Sequence, residues 1–349
     1  MKILMANYPW IGGIAKYIEE AFTELGHEVE QNYYRGQTPF LHRAFKLNQI
    51  KYLDRKCLER IRARFNIEIR SHAKNICPDM FFVFNEGYVN TETVQSMRCM
   101  GIRTVCLIGD NPFDSYRFRE LPYSLKYFDH IYVAEKNWIS NIRMVAAGSK
   151  IIKMHSAYDS RRFNIDHVKE NDQARNKEIN CQIAFSGESY YQCAEGGYRC
   201  AVLSNLVEYG LVLWGDCGWK YQFKFYPELV RAYNGGRLSL DELVSVYANA
   251  TINLNMPSPQ IITSFQPRVF EIAACGGFQI VDYREDLLEV FKKDEIVTFK
   301  TIPELKEKVE YFIRYPEKRK PYIDSGLKAI KGNTWKDRVE MILNNMDNY

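Results

Sequence analysis

Residues 268–277 read RVFEIAACGG. The run predicts a short helix, apolar nearly all round, closed by two glycines. Such a helix buries itself against a sheet. One carboxylate, Glu271, stands inside it among Val269, Phe270, Ile272, Ala273 and Ala274. Burying a charge is costly unless it finds a partner. Glu271 therefore either answers the helix dipole from the first turn or faces a ligand. Pro267 suits the first turn, where its missing N–H is no loss. Ser264, Phe265 and Gln266 then lie at the helix mouth, and Arg268 adds a positive charge there. A diphosphate docked at that mouth would gain roughly 0.3–2 kcal/mol from the helix end, with Arg268 as a further clamp. Glu271, one turn in, could accept two hydroxyl hydrogen bonds from a ribose.

Outward from this helix the chain alternates short apolar runs with helical patterns. TINLN (251–255) precedes it and FQIVD (278–282) follows it. Upstream, CQIAFSG (181–187) and GLVLWG (210–215) read as strands, with helices around 197–209 and 239–250. Helices near 303–315 and 334–346 finish the chain. The first half repeats the grammar. KILMAN (2–7) is a strand, Gly12 and Gly13 close a loop, and Ile14, Tyr17, Ile18, Ala21, Phe22 and Leu25 share one helical face. HEVEQ begins the next strand, 47–70 reads as an amphipathic helix, and strands follow at 79–85, 103–109, 130–134 and 150–155. Strands separated by helices imply parallel pairing in an open α/β sheet. The polar, aperiodic stretch 161–180 reads as the linker between the halves. The expected architecture is α/β, with two Rossmann-like domains facing a central cleft. The two halves cover 1–162 and 178–330, and a last helical segment covers 331–349.

Composition bounds the function. A chain of 349 residues suits two domains, and 46% hydrophobic with 26% charged residues describes a globular protein. A net charge of +4 does not by itself argue for nucleic acid. No run of eighteen apolar residues exists to span a membrane, and the N-terminus lacks the apolar core of a signal peptide. The nine cysteines are scattered, with no C-x-x-C pair, and the six histidines show no metal spacing. Reduced thiols in a cytoplasmic protein without a metal site are the expectation.

In open α/β sheets ligands sit beyond the carboxyl ends of the strands. The Asn7–Gly13 loop, closed by Gly12 and Gly13, is one such place, and a plain strand-to-helix turn reads equally well there. Asp110 in GDNPFD ends the strand at 103–109, and Glu86 ends the strand at 79–85. Either could serve as the base beside an acceptor hydroxyl, and an aspartate before Asn-Pro also forms turns. Asp114 and Asp159 read as turn caps, and His155 as structural. Residues 42–74 carry ten Lys and Arg against three acids. That helix is a solvated face, or a dock for an anionic acceptor or a membrane surface.

The motif R-x-F-E-I-x-A-C-G-G-F, followed by Asp282, DLLEVFKKDEIVTF and IPELKEKVEYFIRYPEKRKPYIDSG, resembles the C-terminal half of CgeB-like glycosyltransferases. These are spore-maturation-type relatives of glycosyltransferase group 1, with the two-Rossmann GT-B fold, which implies an acceptor-side domain at 1–162, a nucleotide-sugar donor domain at 178–330 and a last helix at 331–349 that crosses back to the first domain. IAFSGESYYQ, SLDELVSVYANATINLN and NTWKDRVEMIL extend the resemblance, and PDMFFVFNEG, TVCLIGDNPFD, FDHIYVA and SAYDSRRFN continue it more loosely into the first half. The resemblance implies a hexosyltransferase, metal-independent, with a nucleotide-sugar co-substrate, UDP-sugar favoured, and no other cofactor. It implies that Glu271 binds the donor ribose, with Gly187 in the loop opening the donor domain and Arg237 and Leu238 against the base. The chain departs from the family twice. Thr263 replaces a second glutamate that contacts the donor sugar, and GESYYQ lacks the basic pair that holds the diphosphate, the next basic residue being Arg199. Two rival expectations follow: an inactive nucleotide- or glycan-binding protein, or a glycosyltransferase acting on modified DNA.

Overall fold

The computed structural model describes residues 1–7, 13–33, 50–85, 87–113, 120–166, 181–191 and 195–347, without side chains for 50–58 and 347. The chain divides into two compact units, one of Met1–His155 with Arg338–Tyr349 and one of Ser156–Asp337. The division falls ahead of the stretch 161–180, whose residues 167–180 lie outside the described ones.

The first unit is built on six parallel strands: β1 (Lys2–Asn7), β2 (Glu28–Tyr33), β3 (Met80–Phe84), β4 (Arg103–Ile108), β5 (His130–Val133) and β6 (Lys150–Lys153). Their order is β2-β1-β3-β4-β5-β6. β3 is buried along its whole length, as a sheet covered on both faces requires. Its core joins Leu4, Phe81, Val83, Cys106 and Ile131 to helix residues Phe65, Ile69, Val94, Met97, Trp138 and Ile142. Among the covering helices, α1 (Ile14–Glu24) buries Ala15, Tyr17, Ile18, Ala21 and Phe22, close to the expected stripe. The helix expected over 47–70 is α2 (Ile50–Ile76). It runs further because Phe65, Ile69 and Ala73 continue the buried stripe. It stops where Cys77 takes a left-handed φ of 47° ahead of Pro78, which disfavours helix before it. Then come α3 (Thr91–Cys99), capped by the Asn90 side chain, and α4 (Lys136–Val145).

The second unit carries five parallel strands: β7 (Ile183–Ser186), β8 (Leu211–Trp214), β9 (Ile252–Asn255), β10 (Gln279–Asp282) and β11 (Val297–Phe299). Their order is β11-β10-β9-β7-β8. Its helices are α5 (Glu195–Leu203), α6 (Leu240–Asn249), α7 (Arg268–Ala274), α8 (Ile302–Arg314), α9 (Lys320–Ala329) and α10 (Trp335–Asp347). A capping box between Ser239 and Glu242 opens α6. The apolar faces meet in one core that includes Phe185, Leu213, Trp219, Leu254, Ile280, Leu305 and Phe312. α10 belongs to both units, since the division passes between Asp337 and Arg338.

Candidate functional site

The second sheet fixes where a ligand can sit. With strand order β11-β10-β9-β7-β8, the connections reverse direction between β7 and β9, and a crevice opens beyond the carboxyl ends at that point. β7 runs out into Gly187, Glu188, Ser189 and Tyr190, and β9 into Met256.

Arg199 spans this point. It stands on the buried stripe of α5 and is 3% exposed. Its Nη1 donates to the Glu188 carbonyl at 2.5 Å and its Nη2 to the Met256 carbonyl at 3.4 Å. The guanidinium lies 4.5 Å from the centre of the Tyr190 ring and 5.3 Å from that of Phe185. Tyr190 holds a left-handed φ of 48°, an outlier for a bulky residue. Arg199 therefore ties the loop after β7 to the end of β9.

A second cation comes from the first turn of α7. Arg268 donates from Nε to the Tyr247 hydroxyl at 3.2 Å, and its guanidinium lies 5.9 Å from the Phe185 ring centre. Both arginines thus rest against one aromatic ring. Burial pulls the Arg199 pKa down, and the charge of Arg268 pulls in the same direction against Tyr190. Two guanidinium groups share this space at a mutual electrostatic cost, although arginine stays protonated.

Glu271 follows one turn later. Val269, Phe270, Ile272, Ala273 and Ala274 are buried around it. Burial lifts its carboxyl from 4.5 to about 7, and the positive charge of Arg268 restrains the rise. The side chain keeps part of its surface open to solvent. With Glu271 only partly ionised near neutrality, the cluster carries an excess of positive charge. An anion with several oxygens is the ligand chemistry that would offset it. α7 has only seven residues, so the arginines supply more of this attraction than the helix end does. Gly277 explains the close packing behind it: a Cβ there would lie 2.1 Å from the Tyr247 carbonyl oxygen.

The remaining sequence-predicted residues divide. Gly187 is in the crevice, against the Phe185 ring and the Arg199 guanidinium. Arg237 makes a two-toothed ion pair with Glu188, Nε to Oε1 at 2.7 Å and Nη2 to Oε2 at 2.8 Å. It thereby joins the base-side loop to the loop after β7. Leu238 packs against Cys181, Ala184, Trp214, Val246 and Ala250. Ser264 is buried, and Gln266 is half-buried at the start of α7. The Phe265 ring turns into the core, edge-on to Phe270 at 5.4 Å. Thr263 is buried and its hydroxyl donates to Asp286 at 3.4 Å.

Gly13 belongs to the first unit, where its φ of 83° and the Tyr17 ring beside it favour glycine. Gly12, Glu86 and Asp114 lie outside the described residues. Asp110 stands beyond the end of β4, where its Oδ2 accepts the side-chain amide of Asn85 at 2.7 Å. Asp159 forms the expected turn, accepting the Arg161 N–H at 3.1 Å. On α2, Arg64 pairs with Glu68, Arg70 with Glu92, and Arg62 covers the Tyr88 ring.

Sequence reasoning did not assign Arg199 a place in the site, nor Tyr190 or Asn85. For Arg199 a signal existed, a charge on the apolar stripe that includes Cys200 and Leu203. For the other two the signal is a backbone angle, which the sequence does not display.

Residues 199–344 match a family model described as Glycosyl transferase-like. No curated protein matches the chain in sequence. Solved structures match over its whole length. A sucrose-phosphate synthase from Thermosynechococcus elongatus superposes with a TM-score of 0.69 at 12% identity, covering 100% of this chain and 98% of that one. A UDP-forming α,α-trehalose-phosphate synthase from Burkholderia xenovorans gives 0.69 at 11%, covering 100% and 99%. Anabaena HepE, solved in complex with UDP, gives 0.64 at 12%, covering 100% of both. The fold is that of the GT-B glycosyltransferases, two parallel-sheet α/β domains. Among the described residues no group of three or more His, Cys, Asp or Glu is placed to hold a metal ion, and no helix is long and apolar enough to cross a membrane.

Proposed function

We propose that this chain is a CgeB-like glycosyltransferase that moves a hexose from a UDP-sugar to an acceptor hydroxyl without a metal ion. The observation that carries the reading is the pair Arg199 and Arg268, set against one ring at the carboxyl edge of β7 and β9 with a half-ionised Glu271 beside them. Arg268 uses Nε on Tyr247, and the donors on its two Nη atoms clamp the diphosphate. Arg199 holds the loop and contributes its field. Glu271 accepts the ribose hydroxyls, and the base lies against Arg237 and Leu238. HepE is solved in complex with UDP and the trehalose-phosphate synthase is UDP-forming, which favours uridine over other bases.

In the transfer step the acceptor oxygen attacks the anomeric carbon while the carbon–oxygen bond to the diphosphate breaks. The leaving electron pair settles on the phosphate oxygen, where fixed positive charge stabilises it. Asp110 takes the proton of the acceptor hydroxyl. The seven cysteines among the described residues are all free thiols, which supports a cytoplasmic setting. A second reading, a nucleotide- or glycan-binding protein without turnover, has one observation in its favour: Thr263 offers no carboxylate to the donor sugar and spends its hydroxyl on Asp286.

The test is a thermal-shift and calorimetry panel of UDP-, GDP-, ADP- and dTDP-sugars, since a ligand of the native state raises apparent stability. UDP-sugars should bind, and Arg268→Met should weaken them about tenfold or more, the worth of a charge-assisted hydrogen bond. Indifference to every nucleotide sugar, or to loss of Arg268, refutes the proposal. Slow release of sugar without acceptor separates the enzyme from the binding protein.

A further inference from the structure

The first sheet has its own reversal point. Its order β2-β1-β3-β4-β5-β6 places the change of direction between β1 and β3, and the crevice beyond their carboxyl ends is where a ligand belongs. β1 ends in Asn7, which pairs with Phe84, and β3 runs on into Asn85. β4, paired with β3, runs on into Gly109 and Asp110. Two amides and a carboxylate thus top three neighbouring strands.

Asn85 is in a left-handed conformation, φ 48°, and only 7% exposed. Glycine adopts that conformation without steric cost, and asparagine is one of the few other residues that reach it. For the turn alone glycine would serve as well. What asparagine adds is its amide. The Oδ1 atom accepts the N–H groups of Gly109 and Asp110, both at 3.2 Å. The Nδ2 atom donates to Asp110 Oδ2 at 2.7 Å. Every one of these bonds goes to a single two-residue segment, and together they fix both the backbone and the carboxylate of Asp110. Beside it, Asn7 is fully buried, and neither atom of its side-chain amide meets a partner among the described residues. An unpaired buried amide is costly, so this edge holds hydrogen-bonding capacity beyond what the described chain uses. A hydroxyl, both donor and acceptor, is the chemistry that fits an amide beside a carboxylate.

We propose that Asn85 is a positioning residue that aims the Asp110 carboxylate at a hydroxyl group of a polyhydroxylated acceptor at the β1–β3 edge. The proposal rests on the glycosyltransferase reading above. With one oxygen of Asp110 held by the Asn85 amide, the carboxylate cannot rotate away as the hydroxyl proton passes to it. The acceptor oxygen then bonds to the anomeric carbon, and the diphosphate departs with the electron pair.

The test compares wild type with Asn85→Gly, Asp110→Asn and the double variant, using UDP-glucose hydrolysis with water as acceptor and calorimetry of UDP binding. Glycine accepts the left-handed turn, so Asn85→Gly should still fold, with a Tm lowered modestly by the three lost side-chain bonds. Asp110→Asn should lose about a hundredfold in turnover, the worth of a positioned base. Asn85→Gly should lose about tenfold, with KM for the donor unchanged, because the base is kept and only its aim is lost. The double variant should be no slower than Asp110→Asn alone, since the two act as one unit. A crystal structure of Asn85→Gly should show Asp110 in another rotamer. Wild-type turnover in Asn85→Gly, a multiplied loss in the double variant, or an unmoved Asp110 rotamer each overturns the proposal while UDP binding leaves the donor site intact. A wild-type chain that binds UDP-glucose and never turns it over overturns the catalytic role of Asp110 and this proposal together. Failure of UDP to bind at all strikes the functional reading, and the rotamer still decides whether Asn85 holds Asp110.

Discussion

Replacing Glu271 with glutamine should make the protein more stable and a poorer binder of its donor, and pH should control the first effect. The native carboxyl sits at about 7 against 4.5 for the ordinary group, chiefly through burial. An acid raised in the folded state holds its proton where the unfolded chain has released it. Between pH 4.5 and about 7 the native state therefore binds more protons, and stability falls as pH rises. Below that window both states are protonated and the group is neutral in the balance. Above it both are ionised, and the full penalty of the buried charge is present. The gap is about two and a half pKa units, or about 3 kcal/mol. The solvent-open part of the side chain reduces this to about 1–3 kcal/mol. Glutamine is nearly isosteric and does not ionise. Urea unfolding of both forms at pH 5 and pH 8 should show similar stabilities at the lower pH and a variant more stable by about 1–3 kcal/mol at the higher. UDP-sugar affinity should move the other way. Loss of charge-assisted bonds to two hydroxyls removes about 1.5–3 kcal/mol, tenfold or more in Kd. A stability difference that is the same at both pH values refutes the buried-charge account. A more stable variant with undiminished donor affinity refutes the ribose role.

Two further outcomes are expected. Gly277→Ala should destabilise the protein by about 1–3 kcal/mol or more, because a Cβ would meet the Tyr247 carbonyl at 2.1 Å; an unchanged denaturation midpoint would contradict the packing. Turnover, measured by release of UDP, should survive dialysis against EDTA, and a loss restored by a divalent cation would contradict a metal-independent transfer.

How much of this was legible depended on how each element announces itself. The parallel strands carry apolar runs such as MFFVF, buried on both faces, and periodicity finds those readily. α4 is harder to see, since only Trp138 and Ile142 of its ten residues are buried. α9 buries only Gly326, and β11 is three residues long, so neither leaves a pattern to count. Within the site, Glu271 and Arg268 were legible because a charge in an apolar helix is an anomaly. The direction of the Phe265 ring was not legible, because a place next to the helix mouth in sequence says nothing about which way a ring turns, and the core offered Phe270. Asn85 and Tyr190 were beyond reach because what singles them out is a backbone angle set by tertiary contacts.

The two reversal points solve one physical problem with different chemistry. A crevice at the carboxyl edge of a parallel sheet is walled by loops, and loops hold a ligand well only if something stiffens them. In the second unit the stiffener is Arg199, a buried cation that fastens Glu188 to Met256. Its charge suits a crevice meant for an anion. In the first unit it is Asn85, a neutral amide that fastens Gly109 and Asp110. A cation there would form an ion pair with Asp110 and weaken it as a base, whereas an amide fixes the carboxylate and leaves it able to take a proton. On the proposed reading, a charged staple at one edge and an uncharged one at the other match what each edge would bind: phosphate oxygens in one case, a hydroxyl that gives up its proton in the other.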